Sequence, residues 1–346
     1  MEHGVFKRKN WPLSGNDQVY DFLEKSVLSG RLAHTYILLG PKDIGKFQAA
    51  ISFAKVLLCQ GRGNNSAVPC GVCRSCKSLS GSGSGQEVIH GDFHVIKRND
   101  GRKNISIEDV REFIRLLSLS SFLNSYKVGI IKDADELSLD AANALLKTLE
   151  EPKEKVVVLL TASRLDSLPA TIVSRSQVLR FNQVKTSSIY DYLVDELSCD
   201  RDLAKVASRL SLGRPALAAR FAQEKDFSAG YMEKASVFLD FFGADINARL
   251  SSISSLLDDD GDEDKVEKAA TIISIWQGAV RDILLLSSNN GNVVQHEEKR
   301  EKIVLAASES GPAGILRMFK ILREGEERLR ANVNPKLVLE SIAINI

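Results

Sequence analysis

The chain has 346 residues, 44% of them hydrophobic and 26% charged. That balance excludes wholesale disorder and a collagen-like or coiled-coil rod, and the length suits two or three domains. Forty-six Lys and Arg against 45 Asp and Glu leave a formal charge of +1, which excludes a chain-wide basic footprint for nucleic acid but not a local patch. Five cysteines are too few for a disulfide-stapled secreted scaffold. The charged first ten residues lack the apolar core of a signal peptide, and no uninterrupted apolar run approaches the ~20 residues that cross a bilayer. A cytoplasmic protein without a membrane partner is expected.

Five β-type runs, Thr35–Leu39, Phe93–Ile96, Lys127–Ile131, 156–160 and 177–181, alternate with amphipathic helical stretches. This alternation predicts an α/β fold with a parallel five-stranded sheet flanked by helices. Several runs are apolar with hardly any alternation, as strands buried on both faces require. Between the third and fourth, Ala141, Ala142, Leu145, Leu146 and Leu149 recur at helical spacing, and Glu150-Glu151-Pro152 closes that helix. Beyond Phe181 the β-type runs vanish. Residues 186–222 read as short helices broken at Gly213-Arg214-Pro215, and 230–346 read as helices separated by an acidic run at 258–264 and a polar stretch at 287–292. The acidic run fails as a calcium loop, because its glycine is fourth rather than sixth and its twelfth position is Ala269. The Ser-Gly repeat at 80–85 is expected to be a flexible loop.

The first run leads into Gly40-Pro41-Lys42-Asp43-Ile44-Gly45-Lys46-Phe47, which matches the phosphate loop G-x-x-x-x-G-K in spacing and context. Gly40 and Gly45 let backbone N–H groups close around a phosphate at a helix N-terminus, and Lys46 adds a point charge. The next residue is normally Ser or Thr, whose hydroxyl binds Mg²⁺, and here it is Phe47. At the end of the third run, where an acidic pair would hold the metal and orient water, the chain has Lys132-Asp133. Both departures strike the metal, so intrinsic hydrolysis of ATP is not expected. A tight strand-to-helix turn without nucleotide is the plainer reading of the loop, and Asp135 and Glu136 are candidate shifted acids.

Cys59, Cys70, Cys73 and Cys76 form the pattern C-x10-C-x2-C-x2-C. Four thiolates with C-x-x-C knuckles suit a tetrahedral structural Zn²⁺, with an iron–sulfur cluster or free thiols as the alternatives. Arg175, in Thr171-Ile172-Val173-Ser174-Arg175-Ser176, falls on a short helix or turn at a sheet edge. It is either a solvated surface residue or a finger reaching a neighbouring subunit's phosphoryl site.

Taken together, these stretches resemble the delta-prime family of bacterial DNA polymerase III clamp-loader subunits, within the AAA+ superfamily. The resemblance is carried by 30–41 around the first strand, the cysteine insert, 140–152 with its Asn-Ala-Leu-Leu-Lys-Thr-Leu-Glu-Glu-Pro, 168–176, and 331–340 near the C-terminus. It implies an AAA+ P-loop module over 1–184 with a zinc insert at 59–76, a small helical lid over 185–226, and a helical collar over 227–346. It also implies a five-subunit ring with motor subunits and a delta subunit, acting with the sliding clamp and primer-template DNA inside a DNA-directed DNA polymerase holoenzyme near the nucleoid. Within that family, Phe47 and Lys132 place the chain with the non-hydrolysing stator. Arg175 would be the finger offered in trans to a motor subunit's ATP. Arg214 falls near the family's sensor arginine, although Pro215 departs from the pattern, as does Ser176 where the family usually has Cys. An ATP-hydrolysing motor subunit using Asp133 or Asp135, and a zinc-knuckle nucleic-acid-binding module, are the competing readings.

Overall fold

A computed structural model describes residues 14–63, 66–81, 90–99, 102, 104–121, 125–151, 153–258, 265–288 and 290–346. Residues 82–85 of the Ser-Gly repeat, Pro152 and residues 259–264 of the acidic run lie outside them. The five apolar runs pair as a parallel sheet of β1 (Thr35–Leu39), β2 (Phe93–Ile96), β3 (Lys127–Ile131), β4 (Val156–Ala162) and β5 (Gln177–Arg180), in the order β2-β3-β4-β1-β5. β1, β3 and β4 are buried at every position, which is why they read as unbroken apolar runs. β4 extends two residues past the expected run, because Thr161 and Ala162 pair with Leu38 and Leu39.

Alternate strand residues serve two separate layers. Tyr36, Leu38, Val128, Ile130, Val157 and Leu159 pack against α1 (Asp17–Leu28) and α2 (Lys46–Leu58). Ile37, Leu39, Ile131, Val158 and Leu160 pack with α4 (Ile107–Ser118) and α5 (Leu139–Glu150), which follow the short α3 (Arg74–Ser78) in the chain. Helix starts are written locally. Ser106 and Asp109 form a capping box at α4, and the Ser138 hydroxyl accepts the Ala141 N–H at α5 (3.2 Å). Gly129 is required by packing, since a Cβ there would lie 2.4 Å from the Phe113 ring.

The chain forms two compact units, the first reaching Tyr192 and taking in Gly213–Leu217, the second comprising Leu193–Leu212 and Ala218–Ile346. Between β4 and β5 lies α6 (Ala170–Ser174), and past the last strand come α7 (Thr186–Asp195), α8 (Arg201–Leu210) and α9 (Pro215–Gln223). They are followed by α10 (Lys225–Asp240), α11 (Ile246–Asp258), α12 (Lys265–Ser287), α13 (Arg300–Arg330) and α14 (Pro335–Asn345). Among the described residues α12 is the one helix long and apolar enough to cross a membrane. It serves instead as the core helix of the second unit, with Ile272, Ile273, Trp276, Ala279, Val280 and Ile283 at most 0% exposed. α13 breaks at Gly311, in the left-handed region at φ 59°, just before Pro312.

A buried polar hub fastens this unit internally. Asp282 and His296 are both fully buried and meet at 2.8 Å, and the Asp282 carboxylate also accepts the backbone N–H groups of Gln295 and His296. The Gln295 amide donates to the Leu210 carbonyl (2.9 Å) and the Tyr231 hydroxyl (2.7 Å), tying the end of α8 to α10. A buried carboxylate with this many donors is compensated; removing one partner would leave it exposed to the full cost of burial.

Candidate functional site: a phosphate loop and a four-cysteine centre

The phosphate loop leaves the C-terminal end of β1, where open α/β sheets bind ligands. The Gly40 N–H donates to the Ala162 carbonyl (3.0 Å), holding the loop against β4. A Cβ on Gly40 would lie 2.7 Å from the Phe181 carbonyl oxygen, so only glycine fits this close backbone approach. Gly45 caps α2 at φ 109°, a conformation that suits glycine. Lys46 opens the helix and is 5% exposed; its ammonium donates to the carbonyls of Gly40 (2.5 Å) and Pro41 (2.7 Å). Burial pulls its pKa down to about 8, against the raising influence of Asp133, Asp135 and Asp43.

The two departures from the metal-binding pattern are in contact. The Lys132 ammonium sits 5.4 Å from the centroid of the Phe47 ring, a cation–π arrangement. An aromatic ring offers Mg²⁺ no oxygen, and an ammonium repels it, so the residues present do not fit the metal of a nucleoside triphosphatase. Asp133 and Asp135 are both half-buried, and their carboxylates act electrostatically on Lys46. Asp133 stands in the left-handed region at φ 53°, with its N–H donating to the Thr161 hydroxyl (2.8 Å). Asp135 accepts the Ser163 N–H (3.2 Å). Glu136 pairs with Arg98 (3.1 Å) and approaches Lys42 (4.0 Å); burial raises its pKa despite both cations. Motif reading missed Thr161, Ser163 and Arg98, because they come from different strands and loops and no spacing links them to the loop. The signal available was only their place just at or beyond a strand's C-terminal end.

Arg214 is half-buried at the head of α9. Gly213, at φ 78°, turns the chain there, and the Leu217 N–H donates to the Asp43 carbonyl (3.1 Å), so this turn adjoins the phosphate loop. Arg175 is elsewhere. It ends α6 and precedes β5, whose first residue Gln177 pairs with Tyr36 near the start of β1. It therefore lies at the N-terminal end of the sheet, roughly 15 Å of strand away from the loop at about 3.3 Å per residue. Its guanidinium is held by Glu150 at 2.8 Å and by the Thr171 carbonyl at 3.1 Å, with the side chain 37% exposed. Ser176 keeps the turn by donating to the Ile172 carbonyl (2.7 Å).

The four-cysteine centre begins where α2 ends, with Cys59 as the C-cap. All four Sγ atoms lie within 4.8 Å of one another, and those of Cys59 and Cys73 are 4.0 Å apart. A tetrahedron with Zn–S bonds of 2.3 Å has edges of about 3.8 Å, so the four thiols fit one such ion. Backbone N–H groups already point at sulfur: Cys70 to Cys59 (3.1 Å), Cys73 to Cys70 (3.3 Å) and Cys76 to Cys73 (3.5 Å). Burial opposes ionisation of Cys73, but the N–H groups of Cys76 and Gln60 outweigh it and bring that thiol down to about 6. Burial pushes the Cys76 thiol up to about 12. A Cβ on Gly61 would come within 3.0 Å of the Cys70 sulfur, so the small residue clears the centre. Cys199 stands apart from it.

A strand, a glycine-rich phosphate loop and a helix on a parallel five-stranded sheet define the class as an AAA+ P-loop module, here joined to a four-cysteine centre and a helical unit. A family profile described as "DNA polymerase III, delta subunit" matches residues 15–185. The chain is 27% identical over 323 residues to the DNA polymerase III subunit delta' of Haemophilus influenzae, covering 93% of this chain and 92% of that protein. It is 26% identical over 331 residues to the delta' subunit of Bacillus subtilis, covering 94% of each. It is also 26% identical to the tau subunit of Bacillus subtilis over 96% of this chain, spanning only 60% of that longer protein. The chain belongs to the DNA polymerase III clamp-loader subunit family that includes these delta' proteins.

Proposed function

We propose that the chain is the stator of a DNA polymerase III clamp loader: it holds neighbouring motor subunits while the sliding clamp is placed on primed DNA, and it does not hydrolyse ATP itself. The observation that carries this reading is the contact of Lys132 with Phe47, which puts an ammonium and a ring where a hydrolysing site needs a carboxylate, a hydroxyl and Mg²⁺ between them. Arg175 is the residue offered in trans. Its position at the far end of the sheet from the loop of its own chain removes it from service there, and its exposed guanidinium, parked on Glu150, is free to exchange one carboxylate for a partner's phosphoryl oxygens. Arg214, beside the loop, is the residue of this chain placed to sense what the loop holds.

In this reading the sheet module to about residue 184 carries the zinc insert, 185–226 is the lid, and 227–346 is the collar that meets the delta and motor subunits of the ring, in the cytoplasm at the nucleoid. Cys59, Cys70, Cys73 and Cys76 hold one structural Zn²⁺, which would supply cross-linking and no reactive position. The test is ATP turnover by a reconstituted loader with clamp and primed DNA. Arg175→Ala is expected to lower it about 10³-fold, on the scale of other arginine fingers, while the subunits still co-elute as one complex. Unchanged turnover would remove the trans-acting role.

A further inference from the structure

Arg175 does not hang free at the edge of the sheet, because a carboxylate holds it. One nitrogen of its guanidinium meets Glu150 at 2.8 Å, and another donates to the Thr171 carbonyl at 3.1 Å. This grip is looser than an arginine can make. On α4 the Arg115 guanidinium lays two nitrogens on the two oxygens of Glu112, both at 2.7 Å, the forked geometry that binds a carboxylate most firmly. Glu150 has a single contact with Arg175, and both side chains are partly open to solvent. Such a pair holds a guanidinium in place and still lets it go.

Glu150 is also an acid in an unfavourable position. It is the last residue of α5, and Glu151 follows it as the C-cap. The C-terminal end of a helix carries a partial negative charge, which repels carboxylates and attracts cations. Lys147 is the basic residue in the last turn of α5, and among the described residues Arg175 is the cation in ion-pair contact with Glu150. Withdrawing Arg175 leaves two adjacent carboxylates at the negative end of a helix. That cost opposes every departure of the guanidinium and draws it back whenever the anion it left for is gone.

From this we infer that Glu150 is a positioning residue for the finger: it takes Arg175 back once a neighbouring subunit's triphosphate has become a diphosphate, so that the finger serves the reaction without holding its product. Arg175 reaches a phosphoryl group only by giving up Glu150, so its net gain is the difference between two anions. The terminal phosphoryl group of a triphosphate outweighs one singly contacted carboxylate. When that group leaves, the carboxylate and the helix end reclaim the guanidinium. Only ion pairs and hydrogen bonds are exchanged, and Arg175 stays protonated throughout. The inference rests on the trans-acting reading of Arg175 and adds the residue that regulates it.

The test is a double-mutant cycle of Glu150→Gln and Arg175→Ala in the reconstituted loader, read by equilibrium binding of fluorescently labelled ADP. Gln keeps the size of the side chain and removes its charge. Arg175→Ala alone is expected to leave ADP affinity unchanged, because in the ADP state the wild-type guanidinium sits on Glu150. Glu150→Gln alone is expected to tighten ADP binding about three- to fivefold, the scale of a partly exposed ion pair, and the double variant is expected to return to the wild-type affinity. Loss of packing at the end of α5 would show as lower thermal stability of the subunit and would not depend on Arg175. ADP binding that Arg175→Ala weakens, that Glu150→Gln leaves unchanged, or that Glu150→Gln tightens equally without Arg175 would each overturn the inference. ATP turnover of the same assemblies reads the underlying claim separately. If Arg175→Ala lowers turnover while Glu150→Gln leaves ADP affinity as it was, the finger stands and its retrieval by Glu150 falls; if Arg175→Ala leaves turnover unchanged, both fall.

Discussion

The phosphate loop and the four-cysteine centre sit at opposite ends of one helix, Gly45 opening α2 and Cys59 closing it, and they differ in how much of a metal site each retains. At the cysteine end all four thiols converge within 4.8 Å, and local N–H groups aim at the sulfurs. At the loop end the backbone geometry is intact, while both positions that would hold Mg²⁺ carry side chains that exclude it. The difference follows from what builds each site. A structural zinc centre is made by its ligands and disappears with any one of them. A phosphate loop is made by a strand, two glycines and a helix start, all anchored in the sheet core, so its metal ligands can be exchanged without disturbing the fold that surrounds them.

The sharpest way to break this comparison is at the cysteine end. Cys73→Ser is expected to reduce bound zinc from one ion per chain to less than about one-tenth, since each small structural site draws its affinity from the full set of thiolates. Elemental analysis of the purified protein measures it, and limited proteolysis between residues 59 and 90 should accelerate in the same variant. Retention of stoichiometric zinc would show that the four thiols do not act as one centre. At the loop end, Gly40→Ala forces a methyl within 2.7 Å of the Phe181 carbonyl. Backbone cannot yield as a side chain does, so a loss of about 1–3 kcal/mol is expected in denaturant unfolding. The smallest expected effect concerns pH. Lys46, pulled down to about 8 by burial, loses its charge in the folded chain as pH rises through that value. Asp133, Asp135, Asp43 and Lys42 are the charged groups that act on it. Between about 8 and 10.5 the unfolded chain holds more protons at this residue, so the stability it contributes rises with pH across that window, which denaturant unfolding of wild type beside Lys46→Ala at about pH 7 and about pH 10 measures.

Much of the sheet module is legible in the sequence because its signals are local. Unbroken apolar runs mark strands buried on both faces, and cysteine spacing marks a metal knuckle before any coordinate is known. Other features are not local. α1 offers only Val19, Tyr20, Leu23 and Ser26 to the core between charged residues, and its burial depends on a sheet assembled from distant segments. The contact of Lys132 with Phe47 joins residues 85 positions apart, so each substitution could be read as a loss but not as a pair. Ser163 and Arg98 belong to no motif. The Glu150 partner of Arg175 lies on α5, within the stretch that carries the family resemblance, yet nothing in its spacing announces the pairing. The Asp282–His296 hub was equally silent, because histidine and aspartate fourteen positions apart meet only through the turns that join α12 to α13.

The central claim is that this chain keeps the loop of a nucleoside triphosphatase without its catalysis, and steady-state release of phosphate from ATP by the isolated chain in Mg²⁺ tests it most directly. The account predicts a rate for the wild type that is indistinguishable from that of Lys46→Ala. Mg²⁺-dependent turnover by the wild type that Lys46→Ala abolishes would contradict it, and would return catalysis to Asp133 or Asp135.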